Sequence, residues 1–138
     1  MDINLWAVLG CGIASMILGF IWYGPLFGRT WMKIIGVNPN DKEAQKEMGK
    51  GMGLLYLTSF LLALFEAYVM AHFILAWQDA PGVITALWLW AGLIIPTVAG
   101  ACMWNNDSKN IAWSRFLVQG GYQLVLFVIF GLILGYWQ

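Results

Sequence analysis

Long apolar runs alternate with short polar connections along this chain. Four runs reach the roughly 20 residues needed to cross a bilayer: about Asn4–Phe27, Leu54–Trp77, Val83–Met103 and Phe116–Trp137. None shows the period-2 alternation of a membrane barrel strand. Lipid does not tolerate unpaired backbone, so each run is predicted to be a helix. The expected fold class is all-α: a polytopic integral membrane protein, one domain over residues 1–138, with four transmembrane helices and a short cytoplasmic loop helix. The first run opens on Met1-Asp2-Ile3-Asn4 with no basic residue ahead of it, so it reads as a retained helix and not a cleaved signal peptide.

The loop 28–53 is long enough for structure of its own. Asn38-Pro39 reads as a turn, and Asn40 with Glu43 reads as a capping box that starts a helix over about Asp41–Met48. Lys42, Lys46 and Lys50 then share one face at i, i+4 spacing. That face either rests on anionic headgroups or is solvated and only sets topology. In the second polar connection, Asp107 or Ser108 is expected to cap the fourth helix.

Composition sharpens this picture. Of 138 residues, 61% are hydrophobic and only 10% charged. A soluble domain carries nearer a quarter charged residues, so the apolar surface must face the lipid bilayer or itself. All seven Lys and Arg fall in the loop 28–53 or between the third and fourth runs. The positive-inside rule places that side in the cytoplasm of the cell (inner) membrane, with both N- and C-termini outside. Trp6, Trp77 and Trp137 then mark the outer interface, and Trp22, Trp31, Trp104 and Trp113 the inner one. Trp88 and Trp90 lie deeper and serve packing or, in a second reading, an aromatic ligand cage. Net charge is zero and no basic stripe carries interleaved aromatics, so nucleic acid is not an expected partner.

Candidate chemistry is sparse. Glu66 lies about 18 Å along a helix roughly 35 Å long, near mid-bilayer. An ionised, unpaired carboxylate there costs several kcal/mol, so Glu66 should be protonated, hydrogen-bonded or facing a wet cavity. It is either the site of a proton- or cation-linked carrier or an interhelical hydrogen bond that fixes packing. Gln119, Tyr122 and Gln123 share one face of the fourth run at i, i+3, i+4, and are the expected polar partners of Glu66. Gly120 and Gly121 beside them would let another backbone approach.

His72 falls about 240° around the helix from Glu66 and reads as a hydrogen-bonded interfacial side chain. It is the sole histidine, so no metal is expected. Cys11 and Cys102 differ by roughly 18 Å in depth, too far for a disulfide, and read as small apolar side chains. No nucleophile elbow, P-loop, dinucleotide fingerprint or HExxH occurs, so neither enzyme activity nor a cofactor is expected.

Small residues recur at helix-packing spacing: Ser15 with Gly19; Gly92, Pro96 and Gly100; and Gly131 with Gly135, a GxxxG element. Pro96 should kink the third helix. Four short spans bury little on their own, and the GxxxG spacing favours a parallel homo-oligomer, dimer or trimer, with other membrane proteins as further partners. The strong charge bias argues against antiparallel dual topology.

The run Gly19-Phe20-Ile21-Trp22-Tyr23-Gly24-Pro25-Leu26-Phe27-Gly28 with Trp31-Met32, the segment Met48-Gly49-Lys50, and Gly121-Tyr122-Gln123-Leu124 with Gly131, Ile133, Leu134, Gly135 and Trp137 together resemble the domain of unknown function 1761 family. The resemblance spans nearly the whole chain. It implies a small bacterial integral membrane protein with four helices, and it implies no activity. In many members His stands where this chain has Gln123, which can hydrogen-bond but cannot relay a proton. Two functions follow as expectations: a structural or accessory membrane component that homo-oligomerises, or a small channel or proton/cation-linked carrier using Glu66.

Overall fold

The computed structural model describes residues 2–137; Met1 and Gln138, the ends of the expected 1–138 domain, lie outside the described residues. In chain order the helices are α1 (Leu5–Ile21), α2 (Gly28–Ile34), α3 (Lys42–Gly49), α4 (Met52–Ala76), α5 (Gly82–Leu89), α6 (Ile95–Met103) and α7 (Lys109–Tyr136). π turns at Trp22–Leu26 and Trp90–Ile94 extend α1 and join α5 to α6. Among the described residues, four helical spans are long and apolar enough to cross a membrane: Leu5–Leu26, Met52–Ala76, Gly82–Met103 and Lys109–Tyr136. The protein is therefore an all-α, multi-pass membrane protein.

α7 is the organising element, since α1, α5 and α6 all pack on it and α4 closes against α1. The core between them is built from Ala7, Cys11, Ala67, Met70, Phe130 and Leu134 with their neighbours. Asn4 caps α1 by accepting from the Trp6 and Ala7 amides, and its Nδ2 donates to Trp137 O at 3.0 Å. The start of α1 and the end of α7 thus meet at one end of the bundle. At the other end, Arg115 pairs with Asp107 at 3.0 Å and stacks over the Trp31 ring of α2, 5.9 Å from its centroid. Cys11 and Cys102 are both buried and free.

The GxxxG element is spent inside the chain. A Cβ built on Gly82 would sit 2.6 Å from Gly131 O and 2.9 Å from Gly135 Cα, and one on Gly131 would sit 2.8 Å from Val83 Cα. Gly131 and Gly135 therefore seat the first turn of α5 against α7, which withdraws their support for self-association. Ser15 is buried, and Gly19 lies against the Tyr122 hydroxyl, so this pair packs α1 on α7. The third expected stripe behaves differently: Gly92 and Pro96 are exposed, and no atom lies within 4 Å of a Cβ on Gly92 or Gly100. Gly120 and Gly121 admit side chains where a backbone was expected: Ile95 Cδ1 and the Trp22 ring each lie 3.2 Å from the Cβ position.

The two polar connections fix the helix caps, and the first differs from the one expected. Asp41, not Asn40, caps α3: its backbone is extended, and its carboxylate accepts from the Glu43 and Ala44 amides. Asn38 holds the preceding turn by accepting from the Asn40 amide, and Asn40 is left to accept from Arg29. α3 runs through Gly49, so Lys50 lies past its end and pairs with Glu47 at 2.8 Å, which leaves Lys42 and Lys46 on the shared face. Ser108 caps α7 by accepting from the Ile111 amide, and the helix begins at Lys109, well ahead of the apolar run at Phe116. Pro96 does interrupt the third span, but the break takes the form of the π turn just before it.

Candidate functional site

Glu66 falls on the buried face of α4, beside Ala67 and at helical spacing from Ala63 and Met70. Alanines on either side leave room for its carboxyl within the bundle. Glu66 Oε1 is buried, yet no hydrogen-bond donor among the described residues reaches it. Such an atom forfeits its hydration without replacement, a cost of about 1–3 kcal/mol or more. An acceptor left in this condition inside a membrane bundle calls for a proton, a water or a cation.

The three expected partners do not supply the missing donor. The Tyr122 hydroxyl lies within electrostatic range of Glu66 but donates to Ser15 O on α1, at 3.2 Å. Gln119 Oε1 faces the Cys102 thiol at 4.0 Å. Gln123 Oε1 is itself buried and without a donor, as is Thr85 Oγ1 on α5. The cause is geometric: the long tyrosine side chain spans from α7 to α1, and its proton is committed before it meets α4. Ser15 in turn bonds within its own helix, to Gly12 O at 2.7 Å. Buried side-chain oxygens without a hydrogen-bond partner among the described residues thus occur on α4, α5 and α7, at Glu66, Thr85 and Gln123.

Besides Tyr122, helix-to-helix hydrogen bonding is carried by two tryptophans expected in belts or a cage. Trp22 and Trp90 each open a π turn, and each sends its indole N–H into α7: to Val118 O at 3.0 Å and to Gly120 O at 3.1 Å. A carbonyl has two lone pairs, so each acceptor can keep its helical bond as well. Trp90 turns inward while Trp88 is 66% exposed, so the two do not form a cage. Trp22 also joins Phe27, Tyr23, Trp31 and Tyr122 in a chain of ring contacts with centroids 4.7–6.3 Å apart. Proline was the available clue to both π turns: Pro25 lies inside the first, and Pro96 follows the second.

His72 is exposed, with Nδ1 2.9 Å from Tyr68 O. A carbonyl only accepts, so Nδ1 carries the proton and Nε2 is free. Among the described residues no three His, Cys, Asp or Glu side chains gather as a metal site.

No curated protein and no solved structure matches the chain. A family match covers residues 6–135, nearly the full length: the chain belongs to the family described as Protein of unknown function (DUF1761).

Proposed function

We propose that the protein is a small, non-enzymatic channel or carrier of the cell membrane in which Glu66 takes up a proton or a small cation near mid-bilayer. The observation that carries this reading is the buried Glu66 oxygen with no donor. If Glu66 were packing glue, its carboxyl would be bonded across helices. That work falls instead to Trp22, Trp90 and Tyr122. An oxygen ligand of this kind suits a hard cation as well as a water that shuttles a proton. The basic residues concentrated at the Arg115 end favour a cytoplasmic location for that end, with Asn4 and Trp137 outside.

The second reading is a structural or accessory component that homo-oligomerises in parallel as a dimer or trimer. It is favoured by the outward stripe of Gly92, Pro96 and Gly100 on the least covered span. The two readings separate in reconstituted vesicles. Glu66→Gln should abolish a proton or monovalent-cation flux while the particle keeps its mass. If every such flux is unchanged and only oligomer stability falls, the structural reading replaces the carrier.

A further inference from the structure

Between α6 and the first turns of α7 lies an apolar groove of about 300 Å³, lined by Ala99, Cys102, Met103, Ala112, Trp113 and Phe116. On α7 the lining residues follow Lys109 at i+3, i+4 and i+7, so Lys109 lies on the same helical stripe, one turn nearer the bundle's basic end. Lys109 is exposed and, among the described residues, has no carboxylate within 4.0 Å. The nearest acidic side chain in sequence, Asp107, is already neutralised by Arg115 at 3.0 Å. Trp113 and Phe116 pack edge to face with centroids 6.0 Å apart and form one wall. The positive end of the α7 dipole adds to the charge at the groove's mouth.

We propose that this groove binds one acyl chain of an anionic phospholipid, whose headgroup phosphate is held by the Lys109 ammonium. Charge complementarity selects this occupant. An exposed cation without an acidic partner, on the helical stripe that continues the groove's α7 wall, beside an apolar trough matches the two ends of such a lipid. A neutral peptide would leave the ammonium unmatched. The inference is independent of the Glu66 reading, because none of the groove's lining residues carries one of the unpaired buried oxygens.

Native mass spectrometry of the full chain in detergent tests it, with phosphatidylglycerol or phosphatidylcholine added at equal concentration. The expected result is one retained phosphatidylglycerol with about fivefold preference over phosphatidylcholine, which is what one lysine beside an anionic headgroup supplies. Lys109→Gln should bring the two lipids level. Ala112→Trp should fill the trough and remove the retained lipid altogether, with helicity by circular dichroism unchanged. The proposal is overturned if wild type holds both lipids equally, if Lys109→Gln leaves the preference intact, or if Ala112→Trp changes the oligomeric mass and not the lipid count. That last result would assign the groove to a second copy.

Discussion

A methyl group at the α5–α7 crossing tests the packing from which every other position in the bundle follows. In Gly131→Ala the new carbon starts 2.8 Å from Val83 Cα and 2.9 Å from Gly82 O, where ordinary contact begins near 3.4 Å. In Gly82→Ala it starts 2.6 Å from Gly131 O and 2.9 Å from Gly135 Cα. These neighbours are backbone atoms and cannot rotate away, so the helices must part by several tenths of an ångström along their whole contact. Overpacking of this kind costs about 1–3 kcal/mol. Alanine's better helix propensity returns at most about 1 kcal/mol, and less at Gly82, the first residue of α5. Gly82→Ala should therefore be the more damaging, and Gly135→Ala, whose Cβ would lie 3.3 Å from Gly82 Cα, the mildest. Gly92→Ala and Gly100→Ala meet nothing within 4 Å and serve as controls that do not fall below wild type. The assay is detergent-induced unfolding in micelles followed by circular dichroism, with particle mass measured alongside. Equal stability of Gly82→Ala, Gly131→Ala and wild type, with loss only of oligomeric mass, would refute the reasoning and return the GxxxG element to an intersubunit role.

Trp22→Phe and Trp90→Phe should each lower stability by about 0.6 kcal/mol, the typical worth of an interhelical hydrogen bond in a bundle, in the same unfolding assay. Tyr122→Phe should cost a similar amount, whereas Ser15→Ala should cost less because the Ser15 hydroxyl bonds only its own helix. Ser108→Ala should lower stability by about 1 kcal/mol through loss of the α7 cap, and Asn106→Ala, which caps nothing, should not; amide exchange of Ile111 reports the difference locally.

The span count was legible because hydrocarbon thickness dictates run length, a constraint that no tertiary contact overrides. Ends were less so. The cap of α7 was legible as Asp107 or Ser108, and the Ser108 hydroxyl, placed to accept the Ile111 amide, decides between them. Asn40 and Asp41 are equivalent as caps in sequence; only the extended backbone of Asp41 decides between them. The GxxxG spacing correctly announced close helix approach, but spacing along one helix does not say whether the partner is α5 or another chain. The candidate site was legible as a list of residues and not as a set of bonds. Tyr122 and Glu66 do come within electrostatic range, yet the direction of one phenolic hydroxyl, toward Ser15, depends on how α1 lies across α7. The π turns at Trp22 and Trp90 redirect two indoles by a fraction of a turn, a shift that helical phase counting misses.

The carboxyl of Glu66 can be observed directly. Infrared difference spectra of the protein in lipid vesicles, recorded across a pH or cation step and compared with Glu66→Gln, isolate its carbonyl band. The account predicts a band that appears or shifts with the proton or cation gradient in wild type and vanishes in Glu66→Gln. A Glu66 band that stays fixed under every gradient would mark a carboxyl sealed in the bundle, and would contradict a role in taking up an ion or a proton.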